Sequence, residues 1–151
     1  MLEHDLHESV GFWIIMAAEA YQQALNEKVA PHGITYRQCQ VLGCLALDGP
    51  LSQCELAERM HIEPPTLVGI LDRMERDGWI RRAGCQQDRR KKLVYPTAEA
   101  KPVWSKIIAC GRRVREQATH GLSEDERETL RNLLNRVQEN LRTEQPAKQL
   151  V

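Results

Sequence analysis

Apolar positions recur along the chain at helical spacing, and polar start and stop signals cut them into segments. The first, residues 5–30, is densest between Val10 and Ala20, where Glu19 is the one charged residue, and it ends before Pro31-His32-Gly33. Three later segments open on a hydroxyl with Glu or Gln three positions on, so that each side chain satisfies the other's backbone N–H. These pairs are Thr35 with Gln38, Ser52 with Glu55, and Ser123 with Glu126. Behind the first run Val41, Leu42 and Leu45, behind the second Leu56 and Met60, and behind the third Leu130, Leu133, Leu134, Val137 and Leu141. A further helix, about 98–120, is predicted from Thr97 to a stop at Gly121.

Between Ser52 and Thr97 the spacing tightens. A short helix to Met60 and a turn at His61-Ile62-Glu63 lead to Pro64-Pro65, which suits a first helical turn because the missing N–H there has no partner to lose. The helix that follows carries Leu67, Ile70, Leu71 and Met74 on one side and stops at Gly78. Two short helices joined this way predict a helix-turn-helix. Trp79–Arg82 and Leu93–Tyr95 then predict two brief strands around the polar run Ala83–Lys92, which is a wing. The expected fold class is mainly α with a small β-wing: a winged helix-turn-helix flanked by long dimerisation helices.

With 151 residues, one domain is expected over 1–151, its winged core at about 35–97 and its dimerisation helices at about 5–30 and 98–143. The first helix is apolar on nearly every side and so needs cover on more than one face, which predicts packing of terminal helices from two chains. Lys plus Arg and Asp plus Glu number 21 each, so charge must act locally. Within residues 73–92 eight basic side chains (Arg73, Arg76, Arg81, Arg82, Arg89, Arg90, Lys91, Lys92) face three acidic ones (Glu75, Asp77, Asp88). A +5 window in a neutral chain, directly on a winged helix, is the footprint expected of a face that meets phosphate.

Other classes find little support. The apolar run at Val10 is too short to span a bilayer, and acidic residues precede it, so no membrane partner and a cytoplasmic, nucleoid-associated location are expected. Cys39, Cys44, Cys54, Cys85 and Cys110 lack paired spacing and read as reduced thiols, mostly core fillers. His4, His7, His32, His61 and His120 are scattered, with no zinc-protease, nucleophile-elbow or phosphate-loop motif, so neither an enzyme, a metal nor a cofactor is expected.

Leu56-Ala57, Leu67-Val68, the run Leu71 to Arg82, Asp88-Arg89-Arg90-Lys91-Lys92 and Pro96-Thr97 together resemble the winged-helix core of the MarR family. The resemblance is strongest to its SlyA subgroup, including a cysteine at Cys85 shortly before the Asp-Arg-Arg. It implies a homodimeric transcription regulator, a repressor or an activator, on a near-palindromic double-stranded operator. Arg90 is then expected to reach from the wing into the minor groove, its guanidinium gripped by Asp88 in a bidentate pair. The helix beginning at Pro64 enters the major groove, with Pro65, Thr66, Gly69 and Arg73 opposite its apolar stripe. Thr66 suits a base edge and Arg73 a phosphate; Arg76, Arg89, Lys91 and Lys92 complete the DNA-facing set. SlyA-like proteins tend to carry Arg where this chain has Gly69, so sequence preference is expected either to be altered or to lean on the wing and on DNA shape.

The resemblance also implies release of DNA by a small aromatic effector bound between the dimerisation helices and the winged domain. Trp13, Tyr21, Tyr36 and Trp104 are the aromatic residues placed to line such a cleft, the alternative being that they are core. Residues 1–27 hold no Lys or Arg, so a neutral ligand or none is expected. Cys85 among arginines offers oxidation as a competing input. The rival for the whole chain is a winged helix turned to protein binding, its basic wing meeting an acidic partner.

Overall fold

The computed structural model describes residues 6–88 and 90–143. Its elements are α1 (Val10–Val29), α2 (Tyr36–Asp48), α3 (Gln53–Met60), α4 (Pro64–Arg76), β1 (Ile80–Gly84), β2 (Lys92–Pro96), α5 (Ala100–Ala118) and α6 (Glu124–Thr143). Single 3-10 turns at Leu6–Glu8 and Ala30–His32 flank α1. By packing the chain forms two compact units, divided between Val114 and Arg115.

All three reciprocal caps form. Gln38 and Thr35 exchange bonds of 3.3 and 2.9 Å, Glu55 and Ser52 of 3.3 and 2.7 Å, and Glu126 and Ser123 of 3.1 and 2.8 Å. In the first unit one apolar core joins Val41, Leu42 and Leu45 of α2, Leu56 and Met60 of α3, and Leu67, Ile70, Leu71 and Met74 of α4. Ile80 and Val94 of the wing and Ile107 and Cys110 of α5 close it. Each such side chain contributes about 1.5–3 kcal/mol by leaving water, so the helix-turn-helix, the wing base and the start of α5 cohere.

The turn from α3 into α4 is tight because His61 adopts a left-handed conformation, φ +50°, and its N–H reaches Glu58 O at 3.2 Å. At the end of α4, Gly78 takes φ +79°, which lets its N–H reach Glu75 O and the Trp79 N–H reach Met74 O at 2.9 Å. That Schellman closure reverses the chain into the wing.

The wing pairs Ile80 with Pro96 through Gly84 with Lys92, antiparallel. It is longer than the expected strands, since Ala83–Leu93 and Gly84–Lys92 join the ladder and Cys85 N–H still reaches Lys91 O at 2.7 Å. Val94 N–H also donates to Leu51 O, 2.8 Å, tying the hairpin to the segment before α3. Thr97 does not cap α5: its hydroxyl donates to Gly78 O and its N–H to Trp79 O, so it seals the wing base and the helix starts at Ala100.

Val29 is the one buried side chain of α1, whereas Val10, Trp13, Ile15 and Met16 are exposed. In the second unit no described side chain of α6 is buried, and Leu130, Leu133, Leu134 and Leu141 stand open.

Candidate nucleic-acid interface

Burying Leu67, Ile70, Leu71 and Met74 turns the opposite side of α4 outward, and Pro65, Thr66, Gly69, Arg73 and Arg76 are all exposed there. A Cβ built on Gly69 meets no atom within 4 Å, so packing does not demand the glycine. Val68, absent from the expected reading face, is 37% exposed at the edge of the stripe. Its position one residue past Leu67, a 100° step around the helix, was the signal for it.

In the wing, Asp88, Arg90, Lys91 and Lys92 are exposed, and Arg89 lies outside the described residues. The expected clamp of Asp88 on the Arg90 guanidinium is not what forms. Asp88 Oδ1 accepts from the Arg90 backbone N–H at 3.0 Å, the short turn-making bond available to Asp two residues ahead. Among the described residues no ion pair engages Arg90, whose side chain is left to solvent. Lys91 Nζ sits 3.3 Å from Glu55 Oε1 at the start of α3. Glu55 is held at about 2, well below the ordinary 4.5, first by the Ser52 N–H, then by its hydroxyl and by Lys91.

Three arginines counted with the basic window are engaged, Arg76 through its Nε, 3.6 Å from Asp77 Oδ1. Arg81 lies over the Tyr95 ring, 4.4 Å from its centre. Arg82 turns inward, donating from Nε and Nη2 to Glu75 Oε2 (3.1 and 2.8 Å), from Nη1 to Gln53 Oε1 (3.1 Å) and from Nη2 to Asp72. Those bonds hold the Glu75 carboxyl below its usual range.

Of the four candidate aromatics, Trp104, with Leu42, Ala46, Pro96 and Lys101, lines a cavity of about 440 Å³ between α2 and the start of α5. Trp13 packs edge-on to Phe12 and donates to His7 O at 2.7 Å, while Tyr21 is exposed and Tyr36 half-buried, its hydroxyl pushed up by burial. Lys101 lines that cavity, whereas residues 1–27 hold no Lys or Arg. All five cysteines are free. Cys39 and Cys110 are buried, Cys39 pushed up to about 11 by that burial, but Cys54 is exposed, so the core-filler reading fails there. Cys85 is half-buried beside Arg81 and Tyr95.

Among the described residues no cluster suits a metal, and no helix is long and apolar enough to cross a membrane. An exposed helix face beside a basic two-stranded hairpin, both seated on one core, defines a winged-helix DNA-binding protein.

Comparison with known proteins agrees. Residues 34–92 match the MarR family. The HTH-type transcriptional regulator YwoH of Bacillus subtilis (strain 168) is 31% identical over 121 residues, 80% of this chain and 87% of its own. Wild-type MarR of E. coli in its apo form superposes with a TM-score of 0.76 at 27% identity, covering 90% of this chain and 98% of that one. A cysteine-to-serine mutant of the same E. coli protein, complexed with operator DNA, gives 0.76 at 27% identity, covering 89% and 99%. The chain belongs to the MarR family of winged-helix transcription regulators, which bind DNA and are not enzymes.

Proposed function

We propose that the protein is a sequence-specific repressor that binds double-stranded DNA as a homodimer on a near-palindromic operator. The observation that carries this reading is the pairing of two open surfaces on one rigid core. The outward face of α4 bears Thr66 and Arg73, and the wing bears an Arg90 that no acid engages among the described residues. Thr66 is read as a base contact, Arg73, Arg76, Arg89, Lys91 and Lys92 as phosphate contacts, and Arg90 as the minor-groove probe. Pro65 and Gly69 let the helix approach closely, and Asp88 shapes the wing turn that presents Arg90.

The uncovered apolar faces of α1 and of α6 support a second copy of the chain as partner, with the whole chain acting as one regulator in the cytoplasm at the nucleoid. The cysteine three residues before Asp88 supports placement near the SlyA subgroup. A small aromatic effector is read into the Trp104 recess, where Lys101 suits an anionic group.

Selection of bound fragments from a random DNA pool, with wild type and Arg90→Ala at two salt concentrations, tests the reading. A near-palindromic site recovered by wild type and lost by the mutant is expected. Recovery of nothing above background by wild type overturns it and turns attention to an acidic protein partner of the basic face.

A further inference from the structure

Arg82 belongs to the most basic stretch of the chain, yet only 23% of its side-chain surface is exposed. Its planar fork is filled by acceptors from two other elements: Glu75 and Asp72 of α4, and Gln53 at the first position of α3. The Arg82 backbone N–H adds a bond to Glu75 Oε1 at 2.9 Å. A guanidinium that is to grip phosphate must keep that fork open. This one instead cancels two carboxylates on the very helix that faces DNA, one of which, Asp72, is 57% exposed and would repel phosphate if unpaired.

Position gives the cluster a second consequence. A two-stranded hairpin has little stability of its own, so the angle of the wing is set by what its base touches. On the side toward α4 the Arg82 fork is the polar tie, and at the far end Lys91 repeats the device on Glu55. The planar guanidinium donates to acceptors on both helices from a fixed fork, a geometry that the compact, freely rotating donors of an ammonium do not reproduce.

We infer that Arg82 is a positioning residue of the DNA interface, which touches no DNA but holds the wing at a set angle to α4 so that Arg90 and the helix face engage one duplex together. This rests on the DNA-binding reading above. It assigns Arg82 a role opposite to that of its charged neighbours.

The test is a double-mutant cycle on the full chain, with the selected operator as probe and circular dichroism confirming equal helix content. Arg82→Gln and Arg82→Lys are both expected to weaken binding by roughly tenfold or more, because retaining charge without the fork restores nothing. Arg90→Ala is expected to cost far less in the Arg82→Gln background than in wild type, since a wing out of place has already lost that contact. Equal costs in both backgrounds, or Arg82→Lys binding like wild type, overturn the inference in favour of a direct phosphate contact. Gln53→Ala, which strands no charge, covers the case of poorly folding Arg82 variants. It is expected to weaken binding a few-fold with the same non-additivity, and additive losses there overturn the inference as well. A wild type that binds no DNA overturns the functional reading and this inference with it, whereas additive losses on a binding wild type overturn this inference alone.

Discussion

Gly69 sits inside α4 with nothing within 4 Å of where its Cβ would be, although glycine costs a helix interior about 0.5–1 kcal/mol relative to alanine. Gly69→Ala is therefore expected to raise the urea unfolding free energy by about that amount. If the same variant loses operator affinity, close approach of the helix backbone to DNA is the reason a glycine stands there. Glu55 offers a pH test. Its folded value, about 2, lies below the ordinary 4.5, so its stabilisation is present above 4.5 and is lost as pH falls from there toward 2. Glu55→Gln keeps a side chain able to cap Ser52 but has no charge to titrate. Urea midpoints between pH 2 and 7 should fall less steeply on the acid side in the variant than in wild type. The caps themselves were legible because their partners lie three residues apart. Arg82 was not: its acceptors lie 7, 10 and 29 residues away, and sequence reports a charge without its direction. Asp88 was legible as a wing residue and misread as to its partner, because a backbone N–H two residues on competes with a flexible guanidinium and wins on proximity.

Helix α4 shows how one element serves stability and recognition at once. Its four buried residues recur at 3.6-residue spacing, a local signal that made both the helix and its outward face readable. Leu71 is fully buried, so Leu71→Ala is expected to cost about 2–5 kcal/mol in chemical unfolding. Operator affinity of the folded fraction should stay near wild type, because the other face is untouched; a loss of affinity at full folding would show that the two faces are not independent. Strand ends were less legible than helix ends. Gly84 and Lys92 joined the ladder because their partners lay across the hairpin, and Thr97 left the α5 cap because a carbonyl 19 residues back offered its hydroxyl a bond.

At the scale of the molecule, one shared core buries apolar residues of α2, α3, α4 and the wing base, whereas α1 and α6 carry large apolar side chains that are exposed. Leu133 is 51% exposed and Trp13 55%, positions that soluble chains rarely leave open in series. The density of apolar residues in the first helix announced this need for cover, but what supplies it is not written in local pattern. The proposed second copy would cover these faces and double the number of wings available to one duplex. Leu133→Glu places a charge in the middle of the α6 stripe, where pairing with another chain would have to desolvate it. Analytical ultracentrifugation should therefore find wild type as a dimer and Leu133→Glu shifted toward monomer, with the melting temperature of wild type rising with protein concentration. Arg90→Ala should remain dimeric. Both variants are expected to lose operator binding, but for different reasons: one keeps two helices facing half-sites about 34 Å apart without the wing contact, and the other keeps the wing without its twin. If Leu133→Glu stays dimeric and binds as wild type does, α6 is not the surface that joins two chains, and α1 must carry the pairing.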